Sequence, residues 1–435
     1  MKEDTRRGIT IQDGTAAISG VNVRTLADEC GTPLYIYDEN QLVHQMKEYT
    51  KHFTSPDFAG RIVYATKAFN CKAMLRLCHE HGLYCDAVSL GEIYTAKVAG
   101  IPMETVYFHG NNKSKEELRK SFEYGVGTII CDSIEEVRRL TTIAKDYPQT
   151  SIRTLLRVNP EVDTHTHKYI QTAAPDSKFG MPIRKENDIF EAARLLDETP
   201  NLEFAGIHAH IGSQLFETQP FLQEIDELTD FIVRFQKETG IAVQELDLGG
   251  GFGVWYSEAD QPIPVKEFCR TIVDACQEAF QAKNLSISLV SIEPGRSIVA
   301  EAGYLLYTVT LIKQALKDKF LFVDGGMSDL IRPALYEAVY SADLAEKMDV
   351  EEREVVTVGG KCCESGDIVI RNIELPAAEE GDLLLIYSAG AYGYSMAGNY
   401  NKLPMPGVVF VKDGRWRWVI KPQSLDDMLS REVLD

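Results

Sequence analysis

The pattern of apolar and polar positions along the chain changes character twice. Two short strand-like runs, ITI and AAI, open it, and LYIYD then leads into a helical pattern that begins near Asp38. From Arg61 onward, apolar and β-branched runs alternate with segments whose apolar residues recur at helical spacing: RIVYAT, LYCDAVS, TVYFHG, TIICD, TLLRVNP, FAGIHAHIG, ELDLGG and LVSIEPG. Ser114 and Ser133 each stand three residues before a glutamate, Glu117 and Glu136, which predicts two capping boxes at helix starts. Eight strands alternating with helices over about 250 residues fit a (β/α)8 TIM barrel better than a doubly wound sheet. After about residue 300 the long helices stop, and strand patterns follow one another as far as a hairpin signal at Asp413-Gly414. A β-rich second domain is expected there.

Length and charge narrow the picture. At 435 residues the chain exceeds one ordinary core, and 65 acidic against 45 basic residues give a net charge of −20, a field that repels phosphate backbones and anionic lipid. Nucleic acid and membrane are therefore excluded as expected partners. With no apolar leader pattern and no run of about 18 apolar residues, a cytosolic location is expected. Nine cysteines without a CxxC pair read as reduced thiols. The segment from Val162 to Gly180 is long for a loop in a compact domain, a feature of functional lids or of disorder.

In a barrel, chemistry gathers at the C-terminal ends of the strands. Those ends carry Lys67, Asp86, the pair His208 and His210, the run Gly249-Gly250-Gly251, and Glu293-Pro-Gly-Arg296. A lysine closing a buried strand loses solvation as a site closes, which frees its amine to attack a carbonyl; alone it would read as a surface lysine. GGGFG does not lead into a helix, so it suits one phosphate rather than a dinucleotide, with a plain turn as the alternative. His208 and His210 face one side of their strand. Neither they nor His165 and His167 have a carboxylate or cysteine at useful spacing, so no metal is expected, and the pair reads as core or orienting histidines or as a ring-stacking partner. Glu293 before a Pro-Gly turn asks for a cationic partner such as a protonated ring nitrogen. Lysine, single-phosphate loop, flat histidine and carboxylate together describe a site for pyridoxal 5'-phosphate.

YATKAFN, GIHAHIGSQ, LDLGGGFG, IEPGRS, DGGMSDLIRPALY, GKCCESGD and AGAYGYSMAGNYN occur in this order over nearly the whole chain. The ordered set resembles the diaminopimelate decarboxylases, among the alanine-racemase-like, barrel-type pyridoxal-phosphate enzymes. The resemblance implies a barrel over residues 36–290 and a β-sandwich-like domain over 291–435 completed by residues 1–35. It implies that Lys67 carries the cofactor, that His210 stacks on its ring, and that Glu293 meets the ring nitrogen. Ser213, Gly249, Gly250, Gly251, Gly295, Arg296 and Tyr392 would hold the phosphate. Arg296, Arg332, Tyr336, Glu364 and Tyr392 would bind the substrate, and Cys363 would be the proton donor. The implied reaction converts meso-2,6-diaminopimelate to L-lysine and CO2, the last step of lysine biosynthesis, in a homodimer whose sites share residues of both chains. Related decarboxylases acting on ornithine, arginine, a D-amino acid or carboxynorspermidine are the nearest alternative. A relative that has lost catalysis would have to lack Lys67 or Cys363, and both are present.

Overall fold

The computed structural model describes residues 2–4, 8–162 and 177–434, and the chain divides into two compact units. Most of the loop expected between Val162 and Gly180 lies outside the described residues, as do His165 and His167.

One unit comprises residues 46–253 and 262–295. Its eight parallel strands are Ala59–Tyr64, Tyr84–Ala87, Val106–Phe108, Thr128–Cys131, Ile152–Asn159, Leu202–His208, Glu245–Asp247 and Leu289–Ile292. The fourth pairs with the fifth and the eighth with the first, which closes the barrel. Alternate residues point inward along each strand, and Val63, Tyr107, Ile130, Leu155 and Ala205 fill the interior. Below that layer sits Glu245, fully buried, neutralised by Arg153 at 3.0 Å and hydrogen-bonded by Tyr107 and Ser291, each at 2.8 Å. Ser114 forms the expected capping box with Glu117. Ser133 caps its helix, but the Glu136 side chain does not close a box. Its carboxylate is drawn to the buried ammonium of Lys113 at 2.8 Å and to the Asp132 amide, because an unpaired buried cation would cost far more than an open cap.

The other unit comprises residues 1–45, 254–261 and 296–435. The expected boundary at residue 36 falls inside Leu34–Asp38, a strand that belongs whole to this unit. Buried throughout, it lies between Gly303–Gln314, antiparallel, and Gly407–Lys412, parallel. Residues 254–261 also belong to this unit rather than to the barrel. A small sheet running from Lys2 to Asn22 packs Ile9, Ile11, Ala16 and Ile18 onto Leu34, Ile36, Leu306, Leu385 and Val409 of the larger sheet, so two apolar sheet faces share one core. Asp413 and Gly414 make the expected hairpin, both with positive φ (49° and 74°).

Candidate active site

The strand ends of the barrel unit surround a cavity of about 350 Å3 to which Lys67, His210 and Glu293 all contribute. Lys67 follows the first strand in a single tight turn, Thr66–Ala68. Three contacts hold that turn. The Thr66 amide donates to Asp86 Oδ1 at 2.7 Å, the Ala65 amide donates to the Pro294 carbonyl at 3.2 Å, and Gly295 packs so closely on Ala65 that a Cβ there would stand 2.7 Å from the Ala65 Cβ. The tips of the first, second and eighth strands are thereby tied together around the amine. Lys67 itself is exposed, so the desolvation expected of it is not found in this structure. Asp86 is the buried group beside it: burial, with a smaller push from Glu293 and against His109 and Lys67, raises its carboxyl to about 6.

His210 accepts a hydrogen bond on Nδ1 from the Gly250 amide at 3.2 Å, which fixes the tautomer with the proton on Nε2. Burial first, then Lys67 and Arg157, hold its pKa well below the usual histidine value, so the ring is neutral and flat. The three glycines are demanded by close packing as much as by any ligand. A Cβ on Gly249 would lie 2.6 Å from the Ala209 carbonyl and one on Gly251 2.5 Å from the Gly212 carbonyl, while one on Gly250 would run into the Glu293 carbonyl. The Gly249 amide is already given to Asp247 Oδ1 at 2.9 Å. Two of the three amides expected to face a phosphate therefore donate inside the protein. Ser213 is half-buried just beyond His210.

Glu293 is the electrostatic centre. Its Oε2 lies 3.2 Å from His208 Nε2 and its Oε1 2.8 Å from Nε2 of His109, a residue the sequence reading did not single out. Burial pushes this carboxyl up, but the two imidazoles outweigh burial and keep it well below the usual range, hence ionised. Burial lowers His208 to about 4 despite that carboxylate. Asp247 sits beside Glu293 and is raised well above the usual carboxyl range, by burial and then by Glu293 itself, which makes it the protonated member of the pair. The expectation that these histidines lack a nearby carboxylate is corrected here: His109, His208 and Glu293 offer ligand atoms within 4.8 Å of one another. Contacts across a barrel mouth leave no trace in sequence spacing.

The second unit assembles a cation cluster of its own. Arg332, 7% exposed, donates to the Tyr340 hydroxyl, and its guanidinium stands 5.1 Å from the centre of the Tyr256 ring. Arg296, equally buried, donates to the Tyr256 hydroxyl at 2.7 Å and lies 4.8 Å from the Tyr392 ring. Arg332 makes no ion pair with an acidic side chain among the described residues, a costly state for a buried cation unless an anion is supplied from outside. Tyr392 holds φ at +59°, a region bulky residues seldom occupy, and such strain is characteristic of binding sites. Tyr336 is half-buried. Cys363 and Glu364 are exposed on a turn whose shape is set by Asp367, which accepts the amides of Met327 and Cys362, each at 2.7 Å. Tyr256 and Tyr340 carried no motif signal and are recognised only by these contacts, while Asp367 closes the GKCCESGD motif without having been given a role there.

A closed barrel with an amine at one strand end, a neutral flat imidazole at another and a clamped carboxylate between them defines an enzyme built around an aldehyde cofactor with a basic ring nitrogen. The residues fit that group on their own geometry: Glu293 lines the cavity, and its buried Oε1, although 2.8 Å from His109 Nε2, has no aligned hydrogen-bond partner among the described residues. Residues 39–300 match the family described as pyridoxal-dependent decarboxylase, pyridoxal binding domain. The chain is 42% identical to the diaminopimelate decarboxylase of Staphylococcus aureus (97% of this chain, 98% of that one). It is 41% identical to that of Bacillus subtilis (97% and 96%). The crystal structure of the M. jannaschii diaminopimelate decarboxylase in complex with L-lysine superposes with a TM-score of 0.92 at 33% identity, covering 99% of this chain and 98% of the other. The chain belongs to the diaminopimelate decarboxylase family of pyridoxal-phosphate enzymes. No helix among the described residues is long and apolar enough to cross a membrane.

Proposed function

We propose that this chain decarboxylates meso-2,6-diaminopimelate to L-lysine and CO2, using pyridoxal phosphate. The observation that carries the reading is the convergence of Lys67, His210 and Glu293 on one cavity in a chain that belongs to this family. Pyridoxal phosphate, when bound, supplies an aldehyde and a ring that accepts the electrons released with CO2. Lys67 provides the amine that anchors it, and His210 gives a flat neutral face. Ionised Glu293 holds a proton at the ring nitrogen, which keeps the ring electron-poor. Gly251, Ser213 and the amides of Gly295 and Arg296, with Tyr392, are the phosphate ligands proposed, while Gly249 and Gly250 shape the loop.

The far end of the substrate is itself an amino acid centre. Arg332 and Arg296 suit its carboxylate through forked hydrogen bonds, Glu364 suits its ammonium, and Tyr336 completes the set. That Arg332 is buried and makes no ion pair with an acidic side chain among the described residues supports this assignment. Cys363 delivers the proton that replaces CO2. We infer a homodimer in which the exposed Cys363 and Glu364 of one chain serve the site of its partner. The test is to incubate purified protein with meso-diaminopimelate, ornithine, arginine and D-lysine and measure CO2 from each. Release from ornithine or arginine, with none from meso-diaminopimelate, would overturn the substrate reading.

A further inference from the structure

We propose that His109 is a positioning residue for the cofactor, acting together with His208 as a two-sided clamp that keeps Glu293 aimed at the ring nitrogen. The inference rests on the assignment of this cavity to pyridoxal phosphate and goes beyond it by assigning a role to a residue outside the binding set. Three observations carry it. His109 and Glu293 are both nearly fully buried, and each histidine faces a different oxygen of the carboxylate: His208 at 3.2 Å in a hydrogen bond, His109 at 2.8 Å in a close electrostatic contact not aligned as one. The imidazole rings meet edge to face, with centroids 4.9 Å apart and planes at 73°, so neither can turn without displacing the other. His109 itself is fixed at the tip of the third strand, where its amide donates to the Ala87 carbonyl at 2.7 Å.

The next segment is pinned as well. Lys113 donates to the carbonyls of Gly110 (2.7 Å) and Ile130 (2.6 Å) while paired with Glu136, so the chain that leaves His109 is held against the fourth strand. A carboxylate held on both sides loses little freedom when a ring nitrogen arrives, and it cannot swing toward its competitors. Those competitors are close: the cations Arg157 and Lys67 both act electrostatically on the same cluster. Without His109, Glu293 would keep one anchor and could reorient toward Arg157. The ring nitrogen would then be less firmly protonated, an electronic change rather than a loss of fold.

The experiment compares the parent with His109→Leu and His109→Gln, the latter keeping an N–H donor near the Nε2 position. Each is prepared with pyridoxal phosphate and examined for cofactor dissociation constant, visible absorption spectrum from pH 6 to 9, turnover, and thermal midpoint without cofactor. The expected result is that His109→Leu keeps the cofactor-free midpoint, binds pyridoxal phosphate roughly 10- to 100-fold more weakly, and shows an altered balance of absorption bands, with kcat reduced more than KM changes. His109→Gln should recover most of the affinity and spectrum. If His109→Leu reproduces the parent's spectrum and affinity, the clamp is overturned. A cofactor-free midpoint that falls in both variants, with affinity and spectrum changed equally in both, assigns His109 a structural role only and also overturns it. Failure of the parent to take up pyridoxal phosphate overturns instead the reading of the cavity on which the clamp rests.

Discussion

Glu224 offers a stability prediction that can be worked through quantitatively. It lies on the buried face of the helix Gln219–Thr239, among Phe221, Ile225 and Leu228, and is 0% exposed. Among the described residues neither carboxyl oxygen has a hydrogen-bond partner, and burial alone accounts for the rise of its pKa well above the usual value. The folded chain therefore holds a proton that the unfolded chain releases above about pH 4.5. A carboxyl raised in this way contributes its stability at acid pH and loses it as pH climbs from the unfolded toward the folded pKa. The slope is about 1.4 kcal/mol per pH unit for one proton. As pH rises from 5, the parent should thus lose stability relative to Glu224→Gln, at a rate no steeper than that one-proton slope and for as long as the folded carboxyl keeps its proton. Glu224→Met should show the same slope difference and gain a further pH-independent ~1–3 kcal/mol, because it also removes the unsatisfied polar group. The assay is urea unfolding of parent and variants at several pH values from 5 to 8, reading the difference in stability so that the titrations of Asp86, Asp247 and His208 cancel. A difference that stays flat across this range would refute the argument, since it would mean that Glu224 ionises in the fold at no cost.

Other outcomes follow from the site. Borohydride treatment of the protein loaded with pyridoxal phosphate should abolish its visible absorbance and leave the label on Lys67; a label on any other lysine would displace Lys67 from its role. Arg332→Lys should lower kcat/KM for meso-diaminopimelate roughly ten- to a hundredfold, or about 1.5–3 kcal/mol, with cofactor affinity unchanged, because an ammonium keeps the charge but loses the forked contact. Equal kcat/KM in parent and variant would remove this arginine from the substrate site. Mixing Lys67→Ala with Cys363→Ala protein under conditions of subunit exchange should restore roughly a quarter of parental activity, because in the proposed homodimer half the dimers would be mixed and each mixed dimer would have one intact site. Demonstrated exchange without recovery would place Cys363 in its own chain's site.

How far the molecule was legible in its sequence depended on whether a feature was local. The eight barrel strands were legible because each carries its own apolar run and stands between helices with recognisable starts. LYIYD was legible as a strand but its unit was not, and the expected boundary cut it at residue 36; only its pairing with Gly303–Gln314 and Gly407–Lys412 shows that it belongs whole to the second sheet. Lys67, His210 and Glu293 were legible because strand ends announce themselves. His109 and Asp247, which meet Glu293, and Tyr256, which meets Arg296, were not, since each is defined by a contact with a residue far along the chain; Tyr340 lies only eight residues from the Arg332 it meets, but no pattern marks it.

The glycine run shows the same limit from the other side. Its composition suggested three amides turned toward a phosphate, yet the Gly249 amide goes to Asp247 and the Gly250 amide to His210. A Cβ at any of the three would collide with the backbone of Ala209, Glu293 or Gly212. The run is therefore needed even before a ligand arrives, because it brings the seventh strand's loop close enough to set the tautomer of His210 and to anchor Asp247 next to Glu293. Glycine chemistry and ring chemistry are coupled through that loop: substituting Gly250 would disturb His210, proposed to stack on the ring, and crowd the backbone of Glu293, proposed to meet its nitrogen, two functions that a phosphate-loop reading alone would treat as independent.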